Sequence, residues 1–362
     1  MPSANFSAFI CTVSNNFVYF CTAMGKVRVF LHFISRHRRV SLAGFVALFV
    51  IGWLVWRYTP THRQMLHSTV IVKVQQWYEL SWEGKHSVFF TRVVGDSTLT
   101  GLSTDSLAAR SLSYSVGSWL DHWALVPSCN GRLVTSVPDS CAPDVRTATS
   151  LLIMEKNRLE GRLRKLHLQS NEIHYFLHSH GVQDEGFGSV AEYSAKIDAR
   201  YKSAQALKKV LYTWNGKTPL KLTPHSAYTL YYYNWKDKPD SDHATLVASS
   251  ERGQLRLLQN ESHTLPIGMS AVKPLPWTTL FSGKALTVSY PGINEPAFAN
   301  VWLHPTLIPL PSRKDSVRIS PLLSGEGAPL FTEHGRFVGI LSKGKMIKKS
   351  KVMHLFSKEA AL

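Results

Sequence analysis

The stretch Ser324-Gly325-Glu326-Gly327-Ala328-Pro329-Leu330-Phe331, continued by Glu333-His334-Gly335-Arg336-Phe337-Val338-Gly339-Ile340, carries the reading of the fold. Glycines on both sides of Glu326 permit a tight turn that most other residues resist. Pro329 and Leu330 then open an apolar run. A second glycine turn at Gly335 returns the chain into Phe337-Val338-Gly339-Ile340, so the whole reads as a turn followed by a β-hairpin.

Working outward, short β-rich runs punctuated by Pro and Gly fill the chain from Asn215 onward: Tyr228 to Trp235, Ala244 to Val247, Gln254 to Leu258, Ala285 to Tyr290 and Ala299 to Leu303. Many short strands at near-regular spacing predict a sandwich or barrel over 214–345. Before it lies a different pattern. Leu152, Leu159, Leu166 and Ile173 recur every seven residues, and Val190, Tyr193, Ile197, Tyr201, Ala204, Leu207 and Leu211 form a second stripe. Two such stripes joined by the glycine-rich link His180 to Gly188 predict an antiparallel helical hairpin over 146–213, with a coiled-coil dimerisation arm as the competing use of the first stripe. Earlier still, Ser68 to Val94 alternates apolar and polar residues around Glu83-Gly84-Lys85 and predicts a β-hairpin. It lies within a β-rich region, 59–145, whose second half shows no firm periodicity.

The segment around Pro329 resembles the nucleophile region of trypsin-like serine proteases, whose motif runs Gly-Asp-Ser-Gly-Gly-Pro-Leu ahead of a hairpin and a Val-Gly-Ile strand. Gly327, Ala328, Pro329 and Leu330 match, as does the spacing to Val338-Gly339-Ile340. In that family the glycine turn aims backbone N–H groups at the substrate oxyanion. Two weaker likenesses lie upstream. Leu222-Thr223-Pro224-His225-Ser226 is similar to the strand that ends in the catalytic His, and Asp242-His243-Ala244-Thr245-Leu246 to the strand that bears the Asp. Phe281 to Val288 with Tyr290-Pro291-Gly292 resembles the opening of the second barrel. The resemblance spans roughly 217–344 and implies a trypsin-like β-barrel domain, with Ser68 to Val94 completing a short first barrel.

The departures matter equally. Alignment on Pro329 puts Glu326 at the nucleophile position and Gly325 at the acid of the activation pocket, with Ser324 two positions early. A carboxylate there is already ionised and is a poor nucleophile toward an amide. The resemblance therefore implies the scaffold and argues against the chemistry. An active enzyme would use Ser324 as nucleophile, His225 as base and Asp242 as orienter, yet only 16 residues separate the last two.

The chain has 362 residues, 44% of them hydrophobic and 18% charged, which excludes a disordered or collagenous protein; four Cys cannot make it a disulfide scaffold. A formal net charge of +17 points to nucleic acid or an anionic membrane until the charge is located. Val40 to Trp56 (VSLAGFVALFVIGWLVW) is 17 residues without a charge, near the lower length limit for a membrane-spanning helix, with Trp53, Trp56 and Tyr58 at one end. Lys26, Arg28, Arg36, Arg38 and Arg39 precede it with no acidic residue. The positive-inside rule then predicts a cytoplasmic basic N-terminus (1–39), an uncleaved signal anchor (40–58) and export of the remainder to a periplasmic or extracellular space.

In that compartment Cys129 and Cys141 are expected to form a disulfide, worth about 3 kcal/mol for a loop of this size. The basic tail, 346–362, is read as a solvated segment near anionic lipid, without a nucleic-acid partner. His174 and His178, with His180, Asp184 and Glu185 nearby, have metal-compatible spacing, but sixteen His in the chain make such pairs common, and neither metal nor cofactor is expected. The fold expectation is α+β: an N-terminal transmembrane helix, an antiparallel helical hairpin and a trypsin-like β-barrel domain. The function expectation is a degenerate, non-catalytic protease domain of the cell envelope that binds peptide or protein partners. The alternatives are an active trypsin-like endopeptidase, and a structural assembly subunit that forms a homo-oligomer through the hairpin.

Overall fold

The computed structural model describes residues 44, 46–50, 52, 60–94, 98–121, 129–137, 144–234, 236–250, 254–274, 283–290, 293, 304–313, 316–317 and 325–359. They fall into two units, 1–59 and 60–362. In the first unit, residues 44, 46–50 and 52 are helical, with Val46, Leu48, Phe49 and Val50 exposed; the rest of the expected 40–58 span lies outside the described residues. Among the described residues no helix is long and apolar enough to cross a membrane.

The second unit mixes sheet and helix. It starts with α1 (His62–Leu66), closed at its N-terminus by a reciprocal pair in which Thr61 Oγ1 accepts from the Gln64 N–H and Gln64 Oε1 accepts from the Thr61 N–H. Then come β1 (Thr69–Trp82), β2 (His86–Phe90), β3 (Arg92–Val94), β4 (Thr98–Thr100), β5 (Ser111–Trp119) and β6 (Arg132–Ser136). Two long helices follow, α2 (Val145–Ser179) and α3 (Phe187–Thr213). After them β7 (Lys221–Tyr233), β8 (Pro239–Ser249) and β9 (Leu255–Asn260) return to the first sheet.

The first sheet runs β2-β1-β5-β6-β9-β8-β7, and β1 also pairs with β7 from Ile71↔Tyr231 to Ser81↔Lys221. That second pairing closes β1, β5, β6, β9, β8 and β7 into a six-stranded antiparallel barrel. The barrel is thus not confined to 214–345: three of its strands precede the helices. The period of two sorts β1. Val70, Val72 and Val74 point into the barrel with Trp119, Leu133, Leu230 and Leu258, while Ile71 faces outward with Val116.

The second sheet comprises β10 (Gly283–Ser289), β11 (Thr306–Arg313), β12 (Ser316–Val317), β13 (Pro329–Thr332), β14 (Phe337–Ser342) and β15 (Lys345–Lys348), in the order β12-β11-β10-β13-β14-β15. Numbered within each set, both sheets follow one path: strand one pairs with two and four, two with three, and six with five. In the second sheet β12 only lies against β15, so this ring is not closed by a ladder. Helix α4 (Lys349–Glu359) follows and buries Val352, Leu355 and Phe356 in a cluster that includes Leu120, Val134, Leu257, Phe331 and Ile340, fastening the two sheets to one another.

Helices α2 and α3 form the antiparallel hairpin. The Leu152 to Ile173 stripe turns inward against α3, and the base of the arm, Leu151, Leu152, Leu159, Leu207 and Leu211, packs on Tyr78, Leu80, Trp82, Val88 and Phe90 of β1 and β2. Leu152 and Leu159 of the heptad stripe are thus buried within the chain, while Leu166 and Ile173 are half-buried. Gly186, with φ +85, stands at the start of α3.

The expected Cys129–Cys141 disulfide needs correction. Cys129 is a free, buried thiol set among Val70, Val72, Trp119 and Leu133, and its Sγ donates to the Arg132 carbonyl at 3.2 Å. Burial, reinforced by the charge of Asp121, pushes its pKa up to about 12. Cys141 lies outside the described residues.

Candidate functional site

The Gly325–Ala328 turn lies where the two sheets meet, and its backbone is fixed on both. From the first barrel, Val116 N–H donates to Glu326 O at 2.6 Å. From the second sheet, the Gly327 N–H donates to Leu341 O and the Leu341 N–H to Ala328 O, both at 2.8 Å, while Gly325 N–H donates to Ser289 Oγ at 2.8 Å. Gly327 has φ +87, and a Cβ there would stand 2.1 Å from Val116 O and 2.8 Å from Ser136 N. Only glycine fits, by conformation and by space. At Gly325 a Cβ would meet Val116 Cγ2 at 2.4 Å.

The Glu326 side chain continues the joint. Its Oε1 lies 2.7 Å from Ser136 Oγ at the end of β6 and 2.6 Å from Ser342 Oγ at the end of β14, and its Oε2 accepts the Lys343 N–H at 2.8 Å. The two serine oxygens are 2.8 Å apart. Beside them Ser115 and Thr135 hydroxyls meet at 2.9 Å, and Thr135 Oγ1 donates to Val116 O at 2.8 Å. At the other end of the same seam Tyr290 OH donates to Thr69 O at 3.0 Å, and burial pushes its phenol well above the usual tyrosine range. Glu326 therefore links β6, β14 and the turn by one carboxylate, with Ser136 and Ser342 buried against it.

This arrangement holds the Glu326 carboxylate in place. The Gly327 N–H is committed to Leu341 O. The chain leaving β6 is also fixed, since Val137 N–H donates at 2.9 Å to the carbonyl of Gln254, the residue before β9. Among the described residues, none of the hydrogen-bond partners of this turn and of Glu326 is a His.

Of the triad expected from the sequence, the structure does not bring His225 and Asp242 together. Ile71 pairs with both Val116 and Tyr231, so Tyr231 marks the level of the turn on β7. His225 lies six residues back, roughly 20 Å along a strand at about 3.3 Å per residue. There its Nε2 pairs with Glu79 Oε2 at 2.8 Å and its ring stacks on Trp77 at 5.4 Å, with the Arg110 guanidinium 4.6 Å from the same indole. This is a half-exposed surface stack on the barrel. Asp242 faces Leu230 on β8, which in the six-strand ring stands opposite β5, and its Oδ1 accepts from the His243 N–H. Ser324 lies outside the described residues. Among the described residues no group of three or more His, Cys, Asp or Glu is arranged to hold a metal ion. His174 instead pairs with Asp198 at 3.0 Å, and Ser170 Oγ donates to the same carboxylate at 2.7 Å.

Ser136, Ser342, Ser289 and Thr135 escaped the sequence reading. Their signal was faint: hydroxyls at the ends or inward positions of β strands otherwise made of apolar residues. Their meaning depends on Glu326, which is 190 residues from Ser136 in the chain.

A scan against known protein families finds no match, and a search of curated proteins finds none. Among solved structures the chain is similar to one described as "Crystal structure of Deg5", at 9% identity, over 81% of this chain and 88% of that one, with a TM-score of 0.34.

Proposed function

We propose that this chain is a membrane-anchored envelope protein whose two β units form a degenerate trypsin-like domain, retained for binding a peptide or protein partner and without hydrolytic activity. The observation that carries the proposal is Glu326. It occupies the position the motif reserves for a nucleophile, and its carboxylate is tied to Ser136, Ser342 and the Lys343 amide. Two antiparallel sheets of equal strand order meeting at this turn support the scaffold half of the reading. The charge-free run Val40 to Trp56, preceded by Lys26, Arg28, Arg36, Arg38 and Arg39 and followed nearby only by Arg57 and Arg63, supports the anchor and the export of 60–362.

The experiment is covalent labelling of the full chain by a serine-directed fluorophosphonate, together with hydrolysis of unstructured protein substrates. The expected result is neither labelling nor turnover. Labelling that disappears in Ser324→Ala would overturn the proposal.

A further inference from the structure

The outer face of the helical arm has a pattern that neither the barrel nor the hairpin uses. Met154, Gly161, Leu168 and Tyr175 recur every seven residues on α2, and at 100° per residue Leu168 lies half a turn away from Leu166 and Ser170, which face α3. Met154 is 40% exposed, Leu168 60% and Tyr175 77%; Val182, seven residues further and just beyond the helix, is 81% exposed. Gly161 interrupts this row. A Cβ at Gly161 would have no atom within 4 Å, so nothing inside the chain requires a glycine there, although a mid-helix glycine weakens a helix. From 164 to 203 the arm contributes no residue to any core cluster of the barrels.

Charge follows the same division. All eleven Lys and Arg of the hairpin fall in 146–165 and 196–209, together with three acidic residues; 166–195 contains no Lys or Arg and four acidic residues, Glu172, Asp184, Glu185 and Glu192, all exposed. The arm is basic at its base and acidic at its tip. A partner helix laid antiparallel along the row, with the opposite gradient, would be complementary, and a second copy of this arm has that gradient by construction.

We propose that α2 is the two-fold interface of a homodimer, with Leu168 meeting its own copy on the axis. In that register residue i of one arm stands level with the residue equidistant from position 168 on the other. Tyr175 then fills the gap above the partner's Gly161, Val182 covers Met154, and Arg164 stands level with Glu172. One register thus satisfies the glycine, the exposed apolar row and the charges. The Leu152 to Ile173 stripe plays no part, since it faces α3.

The test is sedimentation velocity on the full chain in mild detergent across about 1 to 100 μM, the range in which moderate self-association is read. A dimer is expected. Arg164→Glu and Glu172→Arg should each weaken it about tenfold, and the double swap should restore it to within about threefold, as for a close complementary charge pair. Leu168→Cys should cross-link the two copies on oxidation, whereas Glu192→Cys, on α3, should not. Gly161→Trp should abolish dimerisation with helical dichroism intact, which separates interface loss from unfolding. A monomer at every concentration overturns the proposal, and so does a dimer indifferent to the charge swaps or one that Leu168→Cys fails to cross-link.

Discussion

The two β units follow the same strand path, and they differ most in what joins their third strand to their fourth. In the first barrel the connection from β6 to β7 contains the whole helical arm, which leaves the barrel and packs on it only through its base. In the second sheet the connection from β12 to β13 ends in the Gly325–Ala328 turn, which folds back and is bonded into the first barrel. One connection points out and the other in. Insertions are tolerated where the backbone can run over the surface, and the arm is such a case. The inward turn has no such freedom, because its backbone is bonded to Val116 of the first barrel and to Leu341 and Ser289 of the second sheet.

The comparison predicts that stability is sensitive at the turn and insensitive along the distal arm. The largest effect is expected at Gly327. Valine there would have to adopt a left-handed φ and occupy space held by Val116 O and Ser136 N, and the expected loss is about 2–4 kcal/mol in denaturant unfolding of the full chain. A small loss would mean the turn can leave the seam, and the contrast with the arm would fail.

Glu326 comes next. Glu326→Ala removes the carboxylate to which the buried Ser136 and Ser342 hydroxyls donate, so that one of the two is left without an acceptor, and a buried group stripped of its partner costs about 1–3 kcal/mol. Glu326→Gln keeps one acceptor oxygen and should cost less. Glu326→Ser recreates the residue type the motif expects yet should show no hydrolysis, because His225 is held by Glu79 some way down the barrel. The paired readout of stability and activity separates a structural clasp from a lost catalyst. By contrast, replacing Leu177 near the arm's tip with Ala should leave the unfolding midpoint of the barrels unchanged, since no barrel cluster contains it.

Cysteine chemistry sharpens the same contrast between interior and surface. With its pKa raised to about 12 by burial, Cys129 remains a neutral thiol at pH 8 and should resist iodoacetamide in the folded chain while reacting promptly in denaturant. The sign of the linkage is clear: the unfolded thiol ionises first, so Cys129 lowers stability as pH rises past the ordinary thiol range. Peptide mapping that finds residues 129 and 141 joined would restore the disulfide and break this account.

Legibility of the sequence follows from the range of the interactions. The helical hairpin was visible because a seven-residue repeat is local, and the strands around Pro329 because glycine, proline and alternation are local too. The glycine turn was also legible as an unusual place, with Glu326 as its anomaly. The barrel was harder. Its closure pairs β1 with β7 across the inserted arm, and no local pattern announces which distant strands will meet. For the same reason His225 and Asp242 looked plausible as a pair: a short motif places a side chain on a strand but says nothing of its level around the barrel. The partners of Glu326 were hidden because serine at a strand end is ordinary until a carboxylate is seen beside it.

The smallest effect lies in the arm. Asp198 on α3 accepts from Ser170 and His174 on α2, and its pKa is held below the usual carboxylate range chiefly by the Ser170 hydroxyl, with His174 adding to it. A carboxylate depressed in the folded state contributes stability that is complete above its unfolded pKa and is lost as pH falls through the folded value. Acid should therefore loosen the contact between α2 and α3. Ser170→Ala should raise the Asp198 titration midpoint in a carboxyl-resolved NMR titration without moving the unfolding midpoint of the barrels. If that midpoint fell together with the Asp198 contact, the arm and the barrels would be one cooperative unit. The difference between the outward and the inward connection would then be one of shape alone, without a difference in stability.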